Sequence, residues 1–352
     1  MGPYLKYLLS ALVILGLLIA INAMLSEAGL FGFGLSDYYG RLVVFIGINV
    51  ILAVSLNLIN GVTGQFSIGH AGFMAVGAYV SAYFTVYHGK AIEAWLTSHS
   101  FGLVGPTISS TLVLLLVILI GAVASALAGL IVGIPSLRLK GDYLAIVTLG
   151  FAEIIRIVIV NIDKVGGPTG LTVPGYANFL WVGIFAVVTI VIVHNIVKSN
   201  LGRALVSIRE DELAAEAMGI NTTRYKVIAF VISSAFAGIA GVLFAHYNKF
   251  LSTQDFQFIR SFEIIIMIVL GGLGSMTGAV LGAVVITILP EALRRLPDIH
   301  VGAHTFQLVD LRLVIYAALL IVVMLTRPQG ILGTREFNLR WLKRKPVQEK
   351  LP

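Results

Sequence analysis

The strongest constraint on this chain is the recurrence of long, nearly uncharged apolar runs. They lie near residues 4 to 25, 41 to 60, 66 to 87, 107 to 134, 142 to 161, 179 to 197, 226 to 247, 259 to 274, 277 to 293 and 309 to 326. A helix needs about 20 such residues to cross about 30 Å of hydrocarbon. Membrane β-strands would instead be about 10 residues of alternating polarity, which these runs are not. At 58% hydrophobic and 12% charged, the 352 residues carry more apolar surface than a water-soluble core could bury. The expected fold is all-α: a polytopic transmembrane helical bundle of about ten helices forming one domain over 1–352. Residues 1–40 supply a first helix and an extracytoplasmic link, 41–333 the core and 334–352 a basic cytoplasmic tail.

Charge orients the bundle, because Lys and Arg are retained on the cytoplasmic side. Of 24 Lys and Arg residues, fifteen fall at or beyond span ends on the side of both termini, eight on the other, and only Arg156 lies well inside a span. Both termini are therefore expected to be cytoplasmic. The net charge of +7 follows from this topology and the tail "RWLKRK", which points to anionic lipid contact and away from nucleic acid. The run "YLKYLLSALVILGLLIAINAML" exceeds the apolar length usual in a secretory signal, so a retained helix is expected.

Several chemistries lack their residues. There are no cysteines, hence no thiolate metal site, disulfide or Cys nucleophile. His300 and His304 are four apart in "PDIHVGAHTF" without an HExxH pattern or a third ligand; a polar loop is the expectation, and no metal or other cofactor is expected. The lone Gly-Lys, in "HGKA", lacks the rest of a phosphate-binding loop, so this chain cannot hydrolyse ATP that way. Paired catalytic carboxylates and a Ser-His-Asp pattern are also missing, which argues against an enzyme.

Two stretches break the apolar monotony. In "NGVTGQFSIGHAGFMAVGAY", residues 60 to 79, Gly64 and Gly72 belong to a series of five glycines that accompanies Gln65, Ser67 and His70. Glycines permit close helix packing, but polar groups at membrane depth are costly unless they face a bundle interior or a water-filled path. A broken segment beside a translocation path is the expectation. The pattern G61-V-T-G64-Q-F-S67 is echoed by G271-G-L-G274-S-M-T277, and internal duplication is common in transporters. Glu153 and Arg156, three apart within a span, can neutralise each other on one helix face, either as a structural pair or as part of that path. Glu263, with Arg260 three residues before it, reads as a helix-end anchor.

The second stretch, "KSNLGRALVSIREDELAAEAMGINTTRYK", is the long charged segment between spans, residues 198 to 226. Ser199 or Asn200 can cap a helix, Leu201, Leu205, Ile208 and Ala215 recur on one face, and Gly219 reads as its stop. It is either a connector lying on the membrane or a docking helix for a cytosolic protein.

Taken together, "GQFSIGHAGFMAVGAY", "LRLKGDYLAIVTLGFAEIIRI", "GGPTGLTVPG", this loop, "VLGGLGSMTGAVLGA" and "RPQGILG" resemble the longer of the two permease subunits of bacterial branched-chain amino acid ABC importers, over about 41 to 333. In ABC permeases an E-A-A-x-x-x-G loop inserts a coupling helix into the ATPase. Leu213, Ala214, Ala215 and Gly219 match those positions here, except that Leu replaces Glu and Glu212 comes one residue early. The later Ile-x-Leu-Pro is missing, a departure that points to the branch of permeases related to ribose and vitamin B12 importers.

The resemblance implies import of leucine, isoleucine, valine and related amino acids by alternating access in a bacterial inner membrane. It also implies cytosolic ATPase subunits, a second homologous permease subunit and an extracytoplasmic binding protein as partners. Gly64, Gln65, Ser67, His70, Gly72, Glu153 and Arg156 would then belong to the translocation path. Leu201, Leu205, Ile208, Glu212, Ala214, Ala215 and Gly219 would couple to the ATPase. The rival reading, a secondary transporter driven by an ion gradient, leaves the charged loop unexplained.

Overall fold

The computed structural model describes residues 16–23, 37–99, 106–137, 139, 141–294, 299–301, 304–306, 311–327 and 329–333. Residues 16–23 are helical and fall within the first expected span; the rest of that span and the basic tail lie outside the described residues. The structure is almost entirely helical. Helix α1 covers Asp37–Asn57, α2 His70–His99, α3 Pro106–Ser136, α4 Asp142–Val160 and α5 Phe179–Lys198. Two short helices follow, α6 at Asn200–Glu210 and α7 at Glu212–Ala217, then α8 at Thr222–Asn248, α9 at Phe258–Gly271, α10 at Met276–Arg294 and α11 at Arg312–Thr326. Strand β1, Leu171–Thr172, pairs antiparallel with β2, Phe250–Leu251, and β3, Ile299–Val301, forms a hairpin with β4, His304–Phe306. His300 and His304 thus sit on a small hairpin, opposite Thr305 and Val301.

Six of the described helices are long and apolar enough to cross a membrane, which makes the chain a multi-pass membrane protein. The runs expected at 259 to 274 and 309 to 326 are shorter as helices. α9 has 14 residues and α11 has 15, about 21 to 23 Å at 1.5 Å per residue.

Helix α8 is the hub, packed most heavily against α3 and α2. Small residues let the backbones meet: a Cβ on Gly77 would stand 2.3 Å from the Gly238 carbonyl oxygen, and one on Gly241 2.0 Å from that of Met74. Lipid offers no hydrophobic drive between helices, so this contact and interhelical hydrogen bonds must hold them. Ser125 donates to the Phe73 carbonyl at 2.9 Å and Ser233 to that of Ser55 at 2.5 Å. Pro290 inside α10 cannot donate a backbone bond to Ile286. The buried Tyr316 hydroxyl of α11 donates to that carbonyl at 3.3 Å instead.

Candidate functional site

Both glycine-rich echoes are interruptions between helices. After Asn57 the chain widens into a π-turn over Leu58–Val62, residues 64–69 run without helix, and α2 starts at His70. The second copy is the turn between α9, which ends at Gly271, and α10, which starts at Met276. Each follows a helix running toward the same end of the bundle, and there they touch. A Cβ on Gly61 would lie 2.3 Å from the Gly274 nitrogen, a separation that only glycine at position 61 allows. Asn57 fastens the pair, its Nδ2 donating to the Ser275 carbonyl at 3.1 Å while its Oδ1 accepts from Gly274 N at 2.9 Å.

Non-helical backbone at membrane depth must find partners inside the protein, and this break does. Asn60 brackets Ser67, giving to its carbonyl at 3.1 Å and accepting from its N–H at 3.2 Å. The Ile68 N–H reaches Thr148 of α4 at 3.0 Å and the Ala71 N–H reaches Ser261 of α9 at 3.1 Å. His70 is buried, with its Nε2 2.9 Å from the Ser55 hydroxyl. Ser67 is buried too, and Gln65 is half-buried. Gly72 lies against Ala152, its would-be Cβ 2.8 Å from that Cα. Ser67 and His70 are therefore buried by the packing that closes the break, Ser67 held through its backbone and His70 through Nε2, while the buried His70 Nδ1 has no hydrogen-bond partner among the described residues.

The closing "RPQGILG" joins the same cluster. The N–H groups of Ile331 and Leu332 donate to Leu270 and Gly271 carbonyls at 2.9 and 3.2 Å, satisfying acceptors that the end of α9 leaves free.

The loop between α5 and α8 covers this cluster. It is two helices where the sequence pattern predicts one over 199 to 219. Asp211 is extended, and its side chain accepts from the N–H groups of Leu213 and Ala214 at 2.9 and 3.0 Å, capping α7. Ser199 caps α6 as expected. Leu205 and Ile208 point inward and are buried, and Leu201 is half-buried. The stripe expected to meet a partner is thus largely consumed by the chain's own bundle, because α6 lies flat on the helix ends. Of the carried-over coupling positions, Ala215 is also buried, Glu212 is half-buried, and Ala214 and Gly219 are exposed. The large apolar side chains exposed on the loop are Leu213, at 71%, and Met218, at 83%. Glu212 pairs with buried Lys226 at 2.7 Å, and Glu216 accepts from Thr222 at 2.7 Å, so α7 is latched to the start of α8.

Arg209 is the link that sequence reasoning missed. From the end of α6 its Nη1 donates to the Gly61 carbonyl at 3.0 Å. Its stem lies over Gly64, where a Cβ would come within 2.7 Å of Arg209 Cγ, and its Nη1 would lie 3.2 Å from a Cβ on Gly274. Gly64 and Gly274 both have positive φ, 71° and 85°, so neither position suits a side chain. One guanidinium thus bears on both echoes.

Glu153 and Arg156 form an ion pair at 2.7 Å, each about a quarter exposed. Glu153 has a second duty, accepting the Phe258 N–H at 3.1 Å at the start of α9, where a carboxylate is favoured by the helix dipole. Arg260 pairs with Glu263 at 2.9 Å and donates to Asn49 of α1 at 2.5 Å.

That last contact lies in the wall of a cavity of about 590 Å3 between α1, α9, α10 and α11. From Asn49 to Gly61 is about 18 Å along the helix, so the cavity belongs to the end opposite the loop. None of the residues expected to line the path contributes to it. Among the described residues no cluster of three or more His, Asp or Glu could hold a metal ion.

The family model described as branched-chain amino acid transport system, permease component, matches residues 38–324. A high-affinity branched-chain amino acid transport system permease protein, LivM of Salmonella typhimurium, is 33% identical over 81% of this chain and 68% of its own length. The probable LivM of Methanocaldococcus jannaschii is 24% identical over 89% and 98%. LivH of Escherichia coli, also a permease protein of such a system, aligns over only 39% of this chain and 41% of its own, at 35% identity. A solved ABC transporter of the metal-chelate type, inward-facing, covers 91% of this chain and 99% of its own at 12% identity and a TM-score of 0.40, a likeness too loose to build on.

Proposed function

The chain belongs to the permease-component family of branched-chain amino acid transport systems, and from that membership we propose that it is a membrane-spanning subunit of an ATP-driven importer of leucine, isoleucine, valine and related amino acids. Its partners are cytosolic ATPase subunits, a second homologous permease subunit and an extracytoplasmic binding protein. It resides in a bacterial inner membrane with both termini cytoplasmic, as its positive charges favour.

The observation that carries the reading is the seating of Arg209 on the two glycine turns. A partner that displaces α6 and α7 moves that guanidinium, and with it the junctions of α1 with α2 and of α9 with α10. Close-packed backbone transmits displacement because it has little free volume to absorb it. In this mechanism the ATPase docks on exposed Leu213 and Met218. ATP-driven closure pulls the loop, and the break around Gly64, Gln65, Ser67, His70 and Gly72 shifts the helices that border the path. Glu153 and Arg156 hold α4 to α9 during that shift. Contacts with the cargo stay weak, since tight binding along the path would slow release.

The test is ATP-dependent uptake of labelled L-leucine by the reconstituted complex, run beside co-purification of the ATPase. Changing Leu213→Asp and Met218→Asp together puts charge into a surface that must be desolvated. The ATPase should dissociate while the permease still inserts and keeps its helix content. Full uptake with both substitutions, or gradient-driven uptake by this chain alone, would overturn the proposal.

A further inference from the structure

The cavity at the end opposite the loop has a graded wall. Its floor is apolar, made by Phe45, Phe244, Met267 and Ile286, with the buried Tyr316 beside them. Its remaining wall carries three cations, Arg41, Arg260 and Arg294, and three carboxylates, Asp255, Glu263 and Glu291. Internal pairing removes most of this charge. Arg260 is bound to Glu263 at 2.9 Å, and Arg294 to Glu291 at 3.2 Å. Asn49, between Arg260 and Thr287, is held at both ends of its amide.

What remains is one cation and one carboxylate. Arg41 makes no ion pair among the described residues, and a guanidinium offers a planar fork that fits a carboxylate. Asp255 accepts the Ser252 N–H at 3.1 Å, which leaves most of its acceptor capacity open. Burial pushes its carboxyl up from the ordinary range, while the Ser252 N–H and the Arg260 guanidinium pull it down. A half-buried carboxylate in that position gains from a second cation.

We propose that this cavity is a receiving site for a zwitterionic α-amino acid with an aliphatic side chain, its carboxylate on Arg41, its ammonium at Asp255 and its side chain on the Phe45, Phe244, Met267 and Ile286 floor. The inference rests on the transport reading above and adds the place where the cargo is met. The volume is in the range of small-molecule sites. The fixed Arg260, Glu263 and Asn49 network keeps the wall in shape without a hydrogen bond to Arg41 or Asp255. A zwitterionic phospholipid headgroup shares the pairing of anion and ammonium, but it brings no short aliphatic group for the floor.

The chain contains no cysteine, so Thr287→Cys, in the cavity wall, introduces a single reporter thiol. In the purified complex with its partner subunits, its alkylation by a small water-soluble reagent should be slowed by L-leucine. Leucinamide, which lacks the carboxylate, and 4-methylpentanoate, which lacks the ammonium, should protect poorly. Adding Arg41→Gln or Asp255→Asn should each raise the L-leucine needed for half-protection by about tenfold or more, equivalent to about 1.4 kcal/mol. Arg41→Lys should restore part of the effect of Arg41→Gln. Unchanged thermal unfolding of each variant confirms that the fold is kept.

Equal protection in the Arg41→Gln and Asp255→Asn variants would overturn the site, as would protection by glycerophosphoethanolamine in place of L-leucine. ATP-driven L-leucine uptake by the complex with no protection of the thiol would overturn the site and leave the transport reading standing. Protection without ATP-driven uptake would support the site and remove the transport reading.

Discussion

The two ends of the bundle are built on opposite plans. Under the loop, backbone meets backbone: Gly61 against Gly274, the 329–333 segment against Gly271 and Gly272, and one arginine over the junction. At the far end the helices stand apart around about 590 Å3 of space, and side chains bridge it through Arg260, Asn49 and Glu263. A contact between main chains cannot adjust by changing rotamer, whereas a wall of long side chains can. The first end suits the transmission of displacement and the second suits the acceptance of a guest.

If that contrast is right, equal insults should cost unequally. The largest loss is expected for Gly61→Val, whose Cβ would fall 2.1 Å from Asn57 Oδ1 and 2.3 Å from the Gly274 nitrogen. Overpacking of this kind costs about 3 kcal/mol or more, and size-exclusion chromatography with thermal unfolding should show little folded protein. Next is Glu212→Ala, which strands the buried ammonium of Lys226. About 3 kcal/mol is expected, and the double variant Glu212→Ala, Lys226→Met should regain most of it; additive losses would show that the pair is not a latch. Gly219→Ala should cost about 1 kcal/mol, the strain of an L-residue at a φ of 82° with open space around it. The mildest is Thr287→Val at the cavity, which gives up the 2.7 Å bond to Asn49 for about 1 kcal/mol or less where water can replace it. A Thr287→Val loss matching that of Gly61→Val would erase the distinction between the ends.

The sequence carried much of this. The all-helical class and the placement of most apolar runs were legible because a bilayer demands continuous apolar length. Yet six described helices, not ten, are long and apolar enough to cross, and the run expected at 66 to 87 is a helix over His70–His99. The break after Asn57 was legible because Gln65, Ser67 and His70 cannot face lipid. The echo at 271 to 277 was legible as a repeat, yet its contact with the first copy was not, since no local pattern encodes which turns meet. The loop shows the limit most clearly. A stripe of Leu201, Leu205 and Ile208 reads the same whether it covers a partner or the chain's own helix ends, and Asp211 reads as surface charge until its side chain is seen capping α7. Arg209 was hidden for a related reason: its partner is a carbonyl 148 residues away in sequence. The cavity was hidden because Arg41 and Asp255 come from segments far apart in the chain, and neither sits in a recognisable motif.

The central claim, that the loop acts on the two glycine turns through Arg209, is tested most directly by counting ATP hydrolysed per L-leucine imported by the reconstituted complex carrying Arg209→Ala. The guanidinium does not form the Leu213 and Met218 surface, so the ATPase should stay bound and hydrolysis should continue near the wild-type rate. Uptake should fall about tenfold or more, so that the ratio of ATP to leucine rises by the same factor. A ratio that stays at the wild-type value, with uptake and hydrolysis either both intact or both reduced together, would contradict the account.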